Sequence, residues 1–591
     1  MCVFIMFLFY FKINIIRIRN HKRATMTSED IDRIYSNDYV DIFLNYSGDL
    51  SVLDQYKNYT VNIINFFFAV VYLPVDQLTE DIMSKRGYAA IPSLFGLGSQ
   101  TSMESSGIPR IRSIPNFNLR GGGVLIGIAD TGIDYTNPIF QYADKTTKIA
   151  RIWDQTIRNE NNPEYLTYGT EYSKEQINEA LQSENPYNIV PSRDEIGHGT
   201  MIAGIAAGNE VPESGFYGVA PDSELVIVKL KQAKPNIKEY FRLPEDAIVY
   251  QENDLLFGLQ YLIDYANKVR KPIVLCVTVD TSQYAHDGRG TTGMWISLKS
   301  SMPGTATVTG VGNEGNARRH FFGLIKEGME YDTVELNVGA NESGFSMELW
   351  GTSPDRFSID ITSPSGEYIP RIDIRLDETR ELSFIFEPTK IYVDYQMVET
   401  QSGDQLILLR FSQPTQGIWK FKVYGSGIYP MIYNIWLPMN DFVGPDTFFV
   451  RSDPYITLLS LSCSDVPVTV TAYNPDDESR YIDAGKGYTR TNMIKPDVAA
   501  PGVNIVSPSL NQGFIEVTGT STAVAHTAGI AAMLLEWGVV KGNHRRMSSQ
   551  QIKVFLIRGA RRKAEITYPN RDWGYGILDI FNVFDSIRGG I

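Results

Sequence analysis

Four apolar runs, at residues 124–129, 225–229, 273–278 and 305–311, are each long enough for one buried strand. Stretches of helical texture at 200–207 and 253–269 lie between them. Strand alternating with helix builds a parallel α/β sheet, so the fold class that follows is α/β. The texture changes between about 323 and 465. Alternating segments at 333–338, 357–362, 391–398, 406–411 and 419–424 are cut by turn signals, Ser-Pro-Ser-Gly at 363–366 and Ser-Gly-Asp at 402–404. That pattern is one of a β-sandwich. Strand texture of the first kind resumes at 468–472 and 497–505, and helical segments follow at 522–537, 549–558 and 580–586. The β-rich stretch therefore reads as a domain inserted into the α/β unit. Upstream, strands at 39–44 and within 60–73, a helix at 75–86 and a strand at 88–91 suffice for a small α+β module.

At 591 residues the chain holds several domain-sized units, and 21 % charged with 43 % hydrophobic residues is the balance of folded domains. Its 54 basic against 68 acidic residues leave a formal charge of −14, which repels a polyanion, so nucleic acid is not an expected partner. Cys2, Cys276 and Cys463 are too few and too scattered for a disulfide framework or a clustered metal site. With no calcium loop of the Asp-x-Asp-x-Asp-Gly kind either, neither metal nor cofactor is expected. Residues 2–11 are apolar, but the run is too short to span a bilayer. Its basic residues follow the apolar stretch, the reverse of a secretory signal. No stable membrane span is expected, and residues 1–25 read as a leader preceding a true start at Met26.

Three short motifs carry chemistry. Asp130 closes a buried strand in Ile-Ala-Asp-Thr-Gly, at the sheet edge where α/β folds put their sites. His198 lies in Gly-His-Gly-Thr before an Ala- and Gly-rich helix, and Ser521 in Gly-Thr-Ser-Thr-Ala at the start of another. A serine hydroxyl becomes a nucleophile when a neutral imidazole takes its proton, and a buried carboxylate holds that imidazole and stabilises its charged form. Asn313, in Gly-Val-Gly-Asn-Glu-Gly-Asn, supplies an amide donor for an oxyanion, together with the Ser521 backbone N–H. Singly, these motifs are a strand-ending turn, a capping turn and a helix cap. Jointly, at strand ends and helix starts, they point to acyl transfer. By contrast, Asp134 and Asp194 read equally well as structural hydrogen-bond acceptors, and His526 as a brace for the nucleophile's helix.

The order Asp, His, Ser and the segments IADTGID (128–134), DEIGHGTMIAGIAAG (194–208), GVGNEGN (310–316), KPDVAAPGVNI (495–505) and GTSTAVAHTAGIAAMLL (519–535) resemble the subtilisin-type (S8) serine proteases. LRGGGVLIGIADTGIDYTNPIF (119–140), His-Asp-Gly (286–288) and YPNRDWGYGILDI (568–580) are similar to the Csp group of clostridial spore-germination proteases. The resemblance implies a subtilisin-like parallel-sheet core with helices on both faces, in two parts, 101–322 and 466–591. Between them it implies a jelly-roll domain at 323–465, and before them a prodomain at 26–100 that acts as chaperone and bound inhibitor. It further implies self-cleavage near Gln100-Thr101 and a protein or peptide substrate, while the lack of a standard signal peptide favours a cytoplasmic or spore-associated location over secretion. A protein of the same fold that binds a partner without chemistry is the rival expectation, since some Csp members have lost triad residues. Where the family commonly has Ser-Leu-Gly lining the substrate cleft, this chain has Thr278-Val279-Asp280. Asp280 there either narrows the cleft, favours a basic residue before the cut bond, or is an outward loop acid. Ala525 replaces a usual Pro and Met201 a common His, neither of which removes a catalytic atom.

Overall fold

The four apolar runs are neighbours in one eight-stranded sheet, ordered Val498–Pro501, Val468–Tyr473, Thr305–Gly310, Ile273–Val277, Leu125–Asp130, Glu224–Lys229, Ile149–Asp154, Thr170–Ser173. The pairings are parallel except at the last strand, which runs antiparallel. A computed structural model describes residues 26–98, 119–159, 162–163, 166–372 and 377–588. The leader 1–25 and the expected cut at Gln100-Thr101 lie outside the described residues.

Side chains alternate across the sheet with period two, so each central strand feeds two cores. Ile126, Ile128, Val274 and Cys276 pack against helices His198–Ala207 and Thr520–Leu535. Leu125, Ala129, Leu275 and Val277 pack against helices Glu252–Val269 and Thr291–Ser300. Helices thus cover both faces, which is why these strands carry no polar face. The segment Thr520–Val540 is long and apolar enough to cross a membrane, but 83 % of it is buried in this core.

The inserted stretch forms two antiparallel sheets of six and five strands enclosing Phe345, Phe411, Trp419 and Tyr433. The N-terminal module is a three-stranded antiparallel sheet with Phe68–Pro74 between Tyr39–Asn45 and Thr60–Ile63. Its first helix, Ser28–Tyr35, absent from the sequence reading, starts at a Thr27/Asp30 capping box.

Three expected elements differ. The helix at 75–86 is broken into Val75–Gln77 and Ile82–Arg86. Between the two, Glu80 is drawn into ion pairs with Arg242 and Arg410, and its carbonyl accepts from Arg410 Nη2. The strand at 88–91 is instead a 3-10 turn, Tyr88–Ala90, and the strand arrives at Leu94–Leu97. The strand at 497–505 ends at Pro501, and Ile505–Pro508 pairs in a separate hairpin with Phe514–Val517.

A fully buried carboxylate, Asp41, docks the N-terminal module onto the core. It accepts from Lys234 Nζ at 2.6 Å, Asn253 Nδ2 at 3.0 Å and Gln251 Nε2 at 3.2 Å. Burial lowers the Lys234 pKa and Asp41 opposes that shift. Removing one partner of a buried pair leaves the other charge uncompensated. Asp41→Ala should therefore destabilise the protein by about 3–5 kcal/mol, measured as a lower midpoint of urea unfolding.

Candidate active site

Asp130 is the last residue of the central strand Leu125–Asp130, and His198 opens the helix His198–Ala207. Ser521 is the second residue of the helix Thr520–Leu535, and Asn313 follows the strand Thr305–Gly310. All four stand beyond the carboxyl ends of parallel strands, the edge at which open α/β sheets place ligands.

The His198 turn is held by short-range geometry. Asp194 accepts from the amides of Ile196 (3.1 Å), Gly197 (2.7 Å) and Thr200 (2.9 Å) and from Thr200 Oγ1 (2.7 Å). Gly199 N donates to Thr131 Oγ1 at 2.8 Å. A side chain on Gly199 would put its Cβ 2.1 Å from the Gly132 carbonyl oxygen, so only glycine lets this helix settle against the Asp130 loop. Asp194 is thus a structural acceptor, and Asp134, which accepts from Thr136, is another. His526 is buried in the nucleophile's helix, and burial takes its pKa down to about 4, consistent with a neutral brace.

Asp130 and His198 have no solvent exposure. His198 Nδ1 lies 2.9 Å from both Asp130 carboxylate oxygens. Asp130 also accepts from Thr131 N and from Thr278 Oγ1, each at 2.7 Å. Burial alone would raise the Asp130 pKa, but the His198 charge and these donors hold it below the usual carboxylate value. Burial likewise works against the His198 imidazolium, but the Asp130 charge, its hydrogen bond and the Asp194 charge together outweigh it, leaving the His198 pKa above 6.5. Sequence reasoning placed Thr278 at the substrate cleft but did not foresee its hydroxyl donating to Asp130. Its signal was a polar residue closing the apolar run at 273–277.

Around Ser521, Thr520 N donates to Asn313 Oδ1 at 3.2 Å, and the Ser521 hydroxyl faces the Thr278 carbonyl oxygen at 3.5 Å. Among the described residues, His198 Nε2 and Asn313 Nδ2 are buried without a hydrogen-bond partner. No hydrogen bond joins His198 Nε2 to Ser521 Oγ; buried polar atoms are nearly always paired, so the orphaned imidazole nitrogen and the orphaned amide near Ser521 are groups with a partner still to gain.

The space beside Ser521 is occupied by the chain itself. Strand Leu94–Leu97 pairs antiparallel with Val279–Asp280 on one side (Leu97 opposite Val279, Gly96 opposite Asp280). On the other side it pairs with Tyr250–Gln251. Gly98, the next residue, lies so close that a Cβ added there would be 2.2 Å from Ser521 Oγ and 3.4 Å from Asn313 Nδ2. Val279 and Asp280 meet the strand through their backbone, and the Thr278 carbonyl faces Ser521. The Asp280 carboxylate turns away, accepting from the amides of Thr281 (2.8 Å) and Leu461 (2.9 Å), and burial takes its pKa up to about 7. It is neither an outward loop acid nor a group presented to a basic substrate side chain. Amides of the 3-10 turn Leu461–Cys463, which the sequence reading did not connect to it, capture the carboxylate.

Comparison with known proteins agrees with this geometry. The subtilase family model matches residues 121–243 and 461–576, on either side of the inserted sheets. The solved CspB protease of Clostridium perfringens is 30 % identical, with a TM-score of 0.72 over 82 % of this chain and 96 % of that one. Among curated sequences, the subtilisin-like protease SBT1.9 of Arabidopsis thaliana is 24 % identical and the C5a peptidase of Streptococcus pyogenes serotype M1 is 23 % identical, each over 70 % of this chain. This chain spans 57 % and 34 % of the length of those two relatives. By fold and by motif, the chain belongs to the subtilase (peptidase S8) family.

Proposed function

We infer that the protein is a serine endopeptidase that cuts its own N-terminal module and then a protein substrate. The observation that carries this reading is an extended strand ending at Ser521 with the unpartnered Asn313 Nδ2 beside it, together with a His198 held by Asp130 whose Nε2 is left unpartnered. Strand addition to a cleft edge is a general mode of peptide recognition, and here backbone pairing on both sides holds the segment straight.

In the reaction, Ser521 Oγ turns from the Thr278 carbonyl to His198 Nε2, gives up its proton there and attacks the scissile carbonyl carbon. Asp130 holds Nδ1–H and stabilises the imidazolium that forms. The oxyanion accepts from Asn313 Nδ2 and the Ser521 backbone N–H at the helix start. Collapse breaks the C–N bond as His198 returns the proton to the leaving amine. Water, deprotonated by the same imidazole, then releases the acyl group and restores Ser521.

The severed module remains as a bound inhibitor because its strand pairing and the Asp41 and Glu80 ion pairs do not depend on the bond that is cut. The likeness to the Csp group extends this reading to limited proteolysis of a precursor, such as the zymogen of a spore cortex hydrolase.

Ser521→Ala should leave the precursor at full mass while the wild type splits, as read by mass spectrometry, and only the wild type should take up a fluorophosphonate probe. Asn313→Ala should slow splitting by about 10²–10³, the loss of one oxyanion donor. His198 acts when neutral, so the rate should fall as pH drops through the His198 pKa, which lies above 6.5. In Asp130→Asn the strongest attraction is gone, and burial is opposed only by the weaker Asp194 charge. The midpoint of the pH–rate curve should move to lower pH, while the plateau falls by about 10⁴.

A further inference from the structure

We propose that the loop at 437–442, between the strands Met431–Trp436 and Phe448–Phe449 of the inserted sheets, forms a wall of the substrate cleft. It selects a residue without a side chain two positions before the one seated on Ser521. This rests on the peptidase reading above and names the substrate class: extended segments with glycine at that position.

Gly96 precedes by two residues Gly98, where an added Cβ meets Ser521 and Asn313, and an added Cβ on Gly96 meets a separate part of the cleft. A Cβ on Gly96 would stand 2.9 Å from Phe442 Cζ, 3.1 Å from Phe442 Cε1 and 3.2 Å from Met439 Cε. The methionine tip is flexible and yields readily. The phenylalanine ring is 4 % exposed and belongs to the same buried cluster as Leu94, Trp436, Met439 and Leu459, so any shift to make room for a side chain disturbs that cluster.

The loop is also tied to the oxyanion residue. Asn440 N donates to Glu314 Oε1 at 3.0 Å and Asn440 Nδ2 to the Asn313 carbonyl at 3.2 Å. Arg319 donates to the carbonyls of Pro438 (3.3 Å) and Val443 (3.1 Å) and stands 3.6 Å from Glu314. A bulky residue at the Gly96 position must push Phe442, and pushing Phe442 strains the loop that carries Asn313. The wall therefore acts on the rate of bond cleavage as well as on binding.

The test uses the full chain, whose own segment is the substrate. Splitting is timed by mass spectrometry for the wild type, Gly96→Ala, Gly96→Leu and the pair Gly96→Leu with Phe442→Ala. Gly96→Leu should split about ten- to a hundredfold more slowly than the wild type, as overpacking of a tight site implies, with Gly96→Ala in between. The paired variant should recover most of the lost rate, which a misfolded chain would not do. Equal rates for Gly96→Leu and the wild type overturn the proposal, and so does a paired variant as slow as Gly96→Leu. Either result leaves the peptidase reading intact. A wild-type chain that neither splits nor takes up a fluorophosphonate overturns both.

Discussion

A carboxylate with no contact to solvent, at the end of the central strand, sets the terms for the rest of the structure. Asp130 stays ionised there because two hydroxyl or amide donors and the His198 imidazole converge on it. Burying that charge without those partners costs several kcal/mol, so strand, turn and helix have to meet at this point. The Asp194 turn and the bare Cα of Gly199 follow from the need to press a helix start onto a strand end.

The inserted sheets begin directly after the residue that serves the oxyanion and end just before the turn that captures Asp280. Asn313 and Glu314 lead into strand His320–Ile325, and the exit passes through Met439, Phe442 and Leu459 before Leu461–Cys463. An insertion at this point alters the cleft without touching the sheet. Leaving the core between two strands of the parallel sheet, it returns as cleft wall, fixed to the core by Asn440, Arg319 and Glu314.

The N-terminal module is held by one buried ion pair and by a half-exposed glutamate shared between two arginines. Asp41 with Lys234 fixes it to the core, and Glu80 with Arg410 and Arg242 links it to the inserted sheets and to the core. Arg410 itself is fully buried and shared with Asp394. Tyr88 adds a hydrogen bond at 2.8 Å to Glu348, whose pKa burial pushes up to about 7. Such pairs fix orientation more than they add stability, since each must first repay desolvation. Orientation is what the site requires, because the strand Leu94–Leu97 has to enter the cleft in one register.

The parallel sheet, the positions of Asp130, His198, Asn313 and Ser521 at its edge, and the sandwich between Asn313 and Ser521 were legible in the sequence. They rest on local signals: apolar runs of strand length, small residues at helix starts, and polar residues that interrupt an apolar pattern. The broken helix around Glu80, the turn of Asp280 onto the Leu461 amide, the Thr278 hydroxyl on Asp130 and the Phe442 wall were not. Each is decided by partners far away along the chain, whose approach depends on the completed packing of three units. Residue types and their spacing determined which chemistry was available. Only the tertiary structure decided which atoms face the cleft, because a side chain's direction is the outcome of competition among contacts that no local pattern encodes.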